Sequence, residues 1–176
     1  MVISACHRHE PDPPGERGTV IDLMRRKHRS LGLANAAVIQ HAPSGFPVLS
    51  GSALAVSISH DAGCAALATG ERRIGVDLQH VTATSARFRD RLRTRTVGAT
   101  SHWTDTDTVQ SWVIREAIAK CRRRGLQDLP WRYTLRSGLT GTYEECRWVS
   151  TYVEAHRAWL AVAVAGTFDE VCVVDE

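Results

Sequence analysis

The chain has 176 residues, a formal net charge of +3 and a hydrophobic content of 43%, enough for one domain or two small halves sharing a core, and too apolar for wholesale disorder. No apolar run approaches the roughly 20 residues of a membrane span, and the first ten residues lack the apolar core of a signal peptide. Five cysteines, none at Cys-x-x-Cys spacing, indicate neither a disulfide frame nor a zinc site, so a reducing cytoplasmic setting is expected.

Residues 1–18 carry Pro11, Pro13, Pro14, Gly15 and Gly18 and read as a loose tail. His7, His9, Glu10 and Asp12 could hold a metal there, but a disordered tail is the plainer reading. Thr19 to Leu31 reads as a helix: Thr19 caps it, Ile21, Met24 and Leu31 fall at helical spacing, and Gly32 ends it. Its other face is basic. Val38-Ile39 suggests a short strand, and Pro43 to Pro47 a turn, because two prolines and a glycine oppose regular structure.

Three strands are predicted next, over Ala53–Ser59, Ala62–Ala68 and Ile74–Gln79. In the third, Ile74, Val76 and Leu78 share one face and Gly75, Asp77 and Gln79 the other. Two oxygen-bearing side chains thus stand together over an apolar back suited to packing on a helix. Arg87 to Arg95 reads as helical and Thr94 to Asp107 as loop. Thr108 to Arg124 is the clearest helix, ended by Gly125. Its apolar stripe is Val109, Val113, Ala117 and Cys121, and Trp112, Glu116 and Lys120 form a column beside it. Tyr133–Leu135, Cys146–Val153, Trp159–Ala165 and Val171–Val174 read as strands, with Gly138 and Gly141 in turns.

One internal echo stands out. An Ala-rich run ending in Gly70 and leading to Ile-Gly-Val-Asp77 resembles the run ending in Gly166 and leading to Val-Cys-Val-Val-Asp175. Two similar strand–turn–strand units explain it, and so does a duplicated half-domain, which would place a ligand at the junction. The basic clusters, Arg25 to Arg29, Arg87 to Arg95 and Arg122 to Arg124, attract phosphate or an acidic protein surface. Cluster by cluster, solvated helix faces are the plainer account. No recognisable nucleic-acid-binding motif accompanies the charge.

Asp77 on a strand and Glu116 on a helix are oxygen ligands suited to Mg²⁺, which favours one or two carboxylates plus water and substrate phosphate. His60 and Lys120 could contact phosphate oxygens. Glu116 borders an apolar stripe, and partial burial would raise its pKa towards that of a general base. Taken singly each has a bland reading: a strand end, a solvated helix residue, a satisfied histidine.

Taken in order, these residues resemble the 4′-phosphopantetheinyl transferases of the surfactin-activating type. The chain reads Gly45-Phe46-Pro47, then Ser57-Ile58-Ser59-His60, then Gly75-Val76-Asp77-Leu78-Gln79. It closes with Trp112-Val-Ile-Arg115-Glu116-Ala-Ile-Ala-Lys120, continuing to Gly125-Leu126. The match covers about residues 44–126. The resemblance implies an α+β fold of two pseudo-symmetric halves, each a small, mainly antiparallel sheet packed on a long helix. The halves would be a trimmed one over 19–80 and a second over 81–176, with the site at their junction. It also implies coenzyme A as co-substrate, Mg²⁺ on its pyrophosphate, and an acyl or peptidyl carrier protein as partner. By position, Asp77 and Glu116 would hold the metal, with Gln79 beside them and Glu116 also the base. Ser59, His60 and Lys120 would bind the coenzyme phosphates, the Gly45–Pro47 turn would back the adenine, and Lys27 and Arg29 would take the 3′-phosphate.

The chain departs from the family pattern at four places. Gln79 stands where a glutamate is usual and supplies no charge. Arg115 replaces a lysine, Phe46 a cation, and Arg123 a glycine. These departures leave an alternative: a reused scaffold that binds a carrier protein or coenzyme A thioester and performs different chemistry or none.

Overall fold

Strand Ile74–His80 lies where two sheets meet, and the fold is arranged about it. The computed structural model describes residues 2–5, 39–125, 134–166 and 172–175. Its strands in chain order are β1 (Val2–Ala5), β2 (Ile39–His41), β3 (Pro47–Leu49), β4 (Ala55–Asp61), β5 (Cys64–Gly70) and β6 (Ile74–His80). They continue with β7 (Thr96–Val97), β8 (Leu135–Arg136), β9 (Thr140–Tyr143), β10 (Cys146–Val153), β11 (Ala158–Ala165) and β12 (Cys172–Asp175). Helix α1 spans Ala86–Arg93 and α2 spans Asp105–Arg122. One sheet has the order β12-β1-β5-β4-β3-β2, a second the order β6-β11-β10-β9, and β7 pairs with β8. Among the described strands, only β1–β12 and β7–β8 are parallel. The protein is therefore α+β, with mainly antiparallel sheets.

Period-two alternation explains how β6 serves two layers. Ile74, Val76 and Leu78 join Cys64, Ala66 and Ala68 of β5 and Leu160, Val162 and Val164 of β11 in one core between the sheets. Val76 and Leu78 are fully buried, each stabilising the fold by roughly 1.5–3 kcal/mol. The apolar face thus packs on the other sheet. The helix expected there lies instead on the opposite face of β6. On that face α2 supplies Val109, Val113, Ala117 and Cys121 to a second core with Trp148, Trp159, Ala161 and Ala163.

Helix α2 begins three residues before the expected start. Thr104 and Asp107 form a capping box: Asp107 N donates to Thr104 Oγ1 at 3.2 Å and Thr104 N to Asp107 Oδ2 at 2.8 Å. It ends at Arg123, a left-handed residue with φ 54°, rather than at Gly125. Two further differences are local. Val2–Ala5, expected in a loose tail, forms β1 between β5 and β12, as its Val-Ile pair permits. Gly141, expected in a turn, lies in β9, where the Trp148 indole occupies the space a Cβ would need. The expected basic helix at 19–31 lies outside the described residues.

The two echoing segments are not hairpins whose arms pair with each other. Strand β5 belongs to the six-stranded sheet and β6 to the four-stranded one; β11 and β12 are divided between the same sheets in the opposite sense. A boundary at residue 80 therefore does not divide the sheets, since the segments before and after it each lend a strand to the other's sheet.

Candidate functional site

Antiparallel pairing with β11 uses one edge of β6. Its other edge faces β4, which offers side chains in place of a backbone. Val76 N donates to Ser57 Oγ at 3.0 Å, Leu78 N to Ser59 Oγ at 3.2 Å, and His80 N to Asp61 Oδ2 at 2.7 Å. Ser57, Ser59 and Asp61 recur at a period of two, so a single face of β4 satisfies three successive edge amides that burial would otherwise leave costly. The Ser-x-Ser spacing is thus a joint between the sheets.

Gly75 brings α2 onto β6. A Cβ there would stand 2.0 Å from Ala117 O and 2.5 Å from Cys121 N, so only glycine lets the helix backbone descend this far. The consequence appears two residues along, where Asp77 meets the last turns of α2. Lys120 Nζ donates to Asp77 Oδ1 at 2.7 Å and to Val76 O at 3.0 Å. Ser59 Oγ donates to the same Oδ1 at 2.8 Å. Asp77 Oδ2 is buried and accepts no hydrogen bond from the described residues, which is a costly state for a carboxylate oxygen.

The electrostatics follow from the geometry. Burial pushes the Asp77 carboxyl above its ordinary value, opposed by the Lys120 ammonium, by Ser59 and by the neighbouring Gln79 amide. Glu116, one turn before Lys120 and 9% exposed, is pushed up to about 7. Burial is the larger cause and the charge on Asp77 the second, with Lys120 opposing both. Two carboxylates and one ammonium thus face one another where the sheets and α2 meet. The residues that could hold a divalent cation are these two carboxylates: Asp77, whose buried Oδ2 is unpartnered, and Glu116, whose pKa burial and the Asp77 charge raise to about 7. Among the described residues, no group of three or more His, Cys, Asp or Glu side chains is arranged as a metal cage.

The other expected site residues fall elsewhere. His60 is exposed and lies on the opposite face of β4 from Ser59, as strand alternation requires, so the cluster of Asp77, Glu116 and Lys120 forms without it. Gly45 and Phe46 form the tip of the β2–β3 hairpin and Pro47 begins β3; Ala42 N donates to Phe46 O at 2.9 Å. This hairpin closes the edge of the six-stranded sheet, with β3 pairing directly with β4 and β2 outermost. Lys27 and Arg29 lie outside the described residues.

Two of the departing residues prove to be structural. Arg115 is fully buried. Its guanidinium donates to Ser111 O and Oγ, to Arg95 O at 2.8 Å and to Thr96 Oγ1 at 3.1 Å. It ties α2 to β7, and burial followed by the Arg95 charge brings its pKa down to about 10. Arg123 is exposed and caps the helix, so its side chain meets no core. Sequence reasoning missed the Arg115 clamp, since a charged residue beside Glu116 reads as part of the same site. No family model matches the chain, and no curated protein matches it. None of the helices among the described residues is long and apolar enough to cross a membrane.

Proposed function

We propose that this protein transfers the 4′-phosphopantetheine arm of coenzyme A to a serine of an acyl or peptidyl carrier protein, with Mg²⁺ as cofactor, in the cytoplasm. The observation that carries the proposal is the unpartnered Asp77 Oδ2, buried beside Glu116 and Lys120. These residues fit the cation in number and chemistry: two carboxylates from different elements, with a lysine alongside for phosphate.

In this reading Glu116, with a pKa of about 7, accepts the proton of the carrier serine as its oxygen attacks phosphorus. The new Ser–O–P bond forms, and the bond to the 3′,5′-ADP oxygen breaks with its electron pair leaving on that fragment. Lys120 neutralises phosphate oxygens, and Ser59 holds Asp77 in place. Bound Mg²⁺ would supply charge neutralisation on the pyrophosphate. Incubating a carrier protein with coenzyme A, Mg²⁺ and this protein should add one phosphopantetheine arm by mass. An unchanged mass across acyl and peptidyl carriers would overturn the reading.

A second reading has its own observation. Lys120 already neutralises Asp77, and Gln79 supplies no third carboxylate, which favours a scaffold that binds a carrier protein or coenzyme A thioester without transfer. Coenzyme A binding that is equally tight with and without chelator would select it.

A further inference from the structure

We infer that Lys120 is an exchangeable counter-ion: it neutralises Asp77 at 2.7 Å and gives up that carboxylate when a divalent cation and phosphate arrive. The inference rests on the transferase reading for its biological context, but its geometry stands independently. Asp77 is 2% exposed, and its only charged hydrogen-bond partner among the described residues is Lys120, at 2.7 Å. A buried carboxylate without that ammonium would be strongly disfavoured. Unless another cation neutralises Asp77, the fold therefore needs Lys120 where it is.

The same contact opposes a metal. A divalent cation on the unpartnered Oδ2 would stand within a few ångströms of the ammonium, and in a partly desolvated site like charges at that separation repel strongly. Asp77 is rigidly held, by Ser59 and by the β6–β11 ladder. Lys120 is not: its side chain is 30% exposed, and its second acceptor, Val76 O, is a backbone carbonyl on the β4-facing edge of β6 rather than a charged group. The ammonium can swing towards solvent while the carboxylate stays. Out there it meets an anion, and phosphate oxygens are the anions that would accompany the cation. One side chain thus links the two binding events: the cation displaces Lys120, and phosphate receives it. Each ligand should tighten the other.

The test is cation affinity, read without any transfer reaction. Mn²⁺ is titrated into the full chain by electron paramagnetic resonance, with and without inorganic pyrophosphate. Lys120→Met should bind Mn²⁺ roughly tenfold more tightly than wild type when pyrophosphate is absent. Pyrophosphate should tighten Mn²⁺ in wild type and have a smaller effect in the variant. Lys120→Gln, which keeps a polar group for Asp77, serves if Lys120→Met does not fold by circular dichroism. Should neither fold, the Lys120 ε-methylene resonance of wild type on adding Mg²⁺ and pyrophosphate decides. A shift supports exchange, and its absence overturns it. Equal or weaker Mn²⁺ binding in a folded variant, or no Mn²⁺ binding by either protein, also overturns it. Failure of the carrier-protein assay with this exchange intact would condemn the transferase reading alone.

Discussion

Gly75 lies so close under Ala117 that a Cβ on the glycine would stand 2.0 Å from the alanine carbonyl oxygen. This contact sets the height of α2 above β6, and through it the distance from Lys120 to Asp77. Gly75→Ala forces the helix backbone outward, because no flexible side chain is available to yield. We expect a loss of about 2–4 kcal/mol and, in a folded variant, weakening of the Lys120–Asp77 contact. Chemical denaturation checks the first. A stability within 0.5 kcal/mol of wild type would show that the helix can rise freely.

Arg115 separates structure from site. Replacing it with Met removes the guanidinium from Arg95 O, which keeps Leu135 N at 3.2 Å, and from Thr96 Oγ1, which keeps Ser111 Oγ at 3.2 Å, and Lys cannot span the fork. We expect a loss of about 2–4 kcal/mol, which for a chain of this size is roughly 5–15 °C in melting temperature. Cation affinity measured well below the melting point should stay within about twofold of wild type, since Arg115 makes none of the contacts described for Asp77. A selective loss of cation binding would place Arg115 in the site after all.

Arg123 tests the helix end. Its φ of 54° is one that glycine adopts without strain and other residues adopt at about 1 kcal/mol. The Arg123→Gly variant should gain about 0.5–1 kcal/mol, the relief of strain being partly offset by the freer unfolded chain. An unchanged or lowered melting temperature would mean that the arginine side chain offsets its backbone strain.

How much of this was legible beforehand depends on the range of the signal. The α2 apolar stripe and the column of Glu116 and Lys120 repeat within one helix and were readable from spacing alone. The Gly75, Asp77 and Gln79 face was equally readable. What covers each face of β6 was not, because both faces are buried and period-two alternation does not say which neighbour arrives. The separation of His60 from the cluster follows from the same alternation, applied to β4: if Ser59 reaches Asp77, His60 points away. The Thr104–Asp107 capping box was present in the sequence but obscured by a polar run that also reads as loop. The role of Arg115 depends on Arg95 and Thr96, some 20 residues away, and local patterning carries no trace of it.

The basic face of α1 divides on inspection. Arg89 is ion-paired with Asp105 at 3.4 Å and donates to Thr84 O at 3.1 Å, and Arg93 lies 3.4 Å from Asp90. Charge reversal at either would disturb these intramolecular contacts. Arg87 is exposed and is the better probe. If an acidic carrier protein docks on α1, Arg87→Glu should weaken binding several-fold at low salt. The difference should shrink as ionic strength rises, because exposed charges are screened over about 8 Å at physiological salt. Salt-independent binding would remove α1 from the interface.

Glu116 makes the site sensitive to pH, and the sign is fixed by the direction of its shift. Its pKa in the fold is about 7, raised from 4.5, so between those values the folded protein holds a proton that the unfolded chain has released. Stability contributed by this group is therefore full below about pH 4.5 and is lost as pH rises towards 7, by roughly 3 kcal/mol in all. A cation bound by the carboxylate reverses the penalty and expels the proton. Binding of Mg²⁺ or Mn²⁺ should then release close to one proton at about pH 6 and almost none at about pH 8.5. Affinity should climb through that window. Calorimetry in buffers of different ionisation enthalpy measures the release directly. In Glu116→Gln both the proton release and this part of the stability profile should vanish. Proton release that persists in that variant would assign it to Asp77, whose carboxyl is also raised by burial, and would leave Glu116 outside the cation's reach.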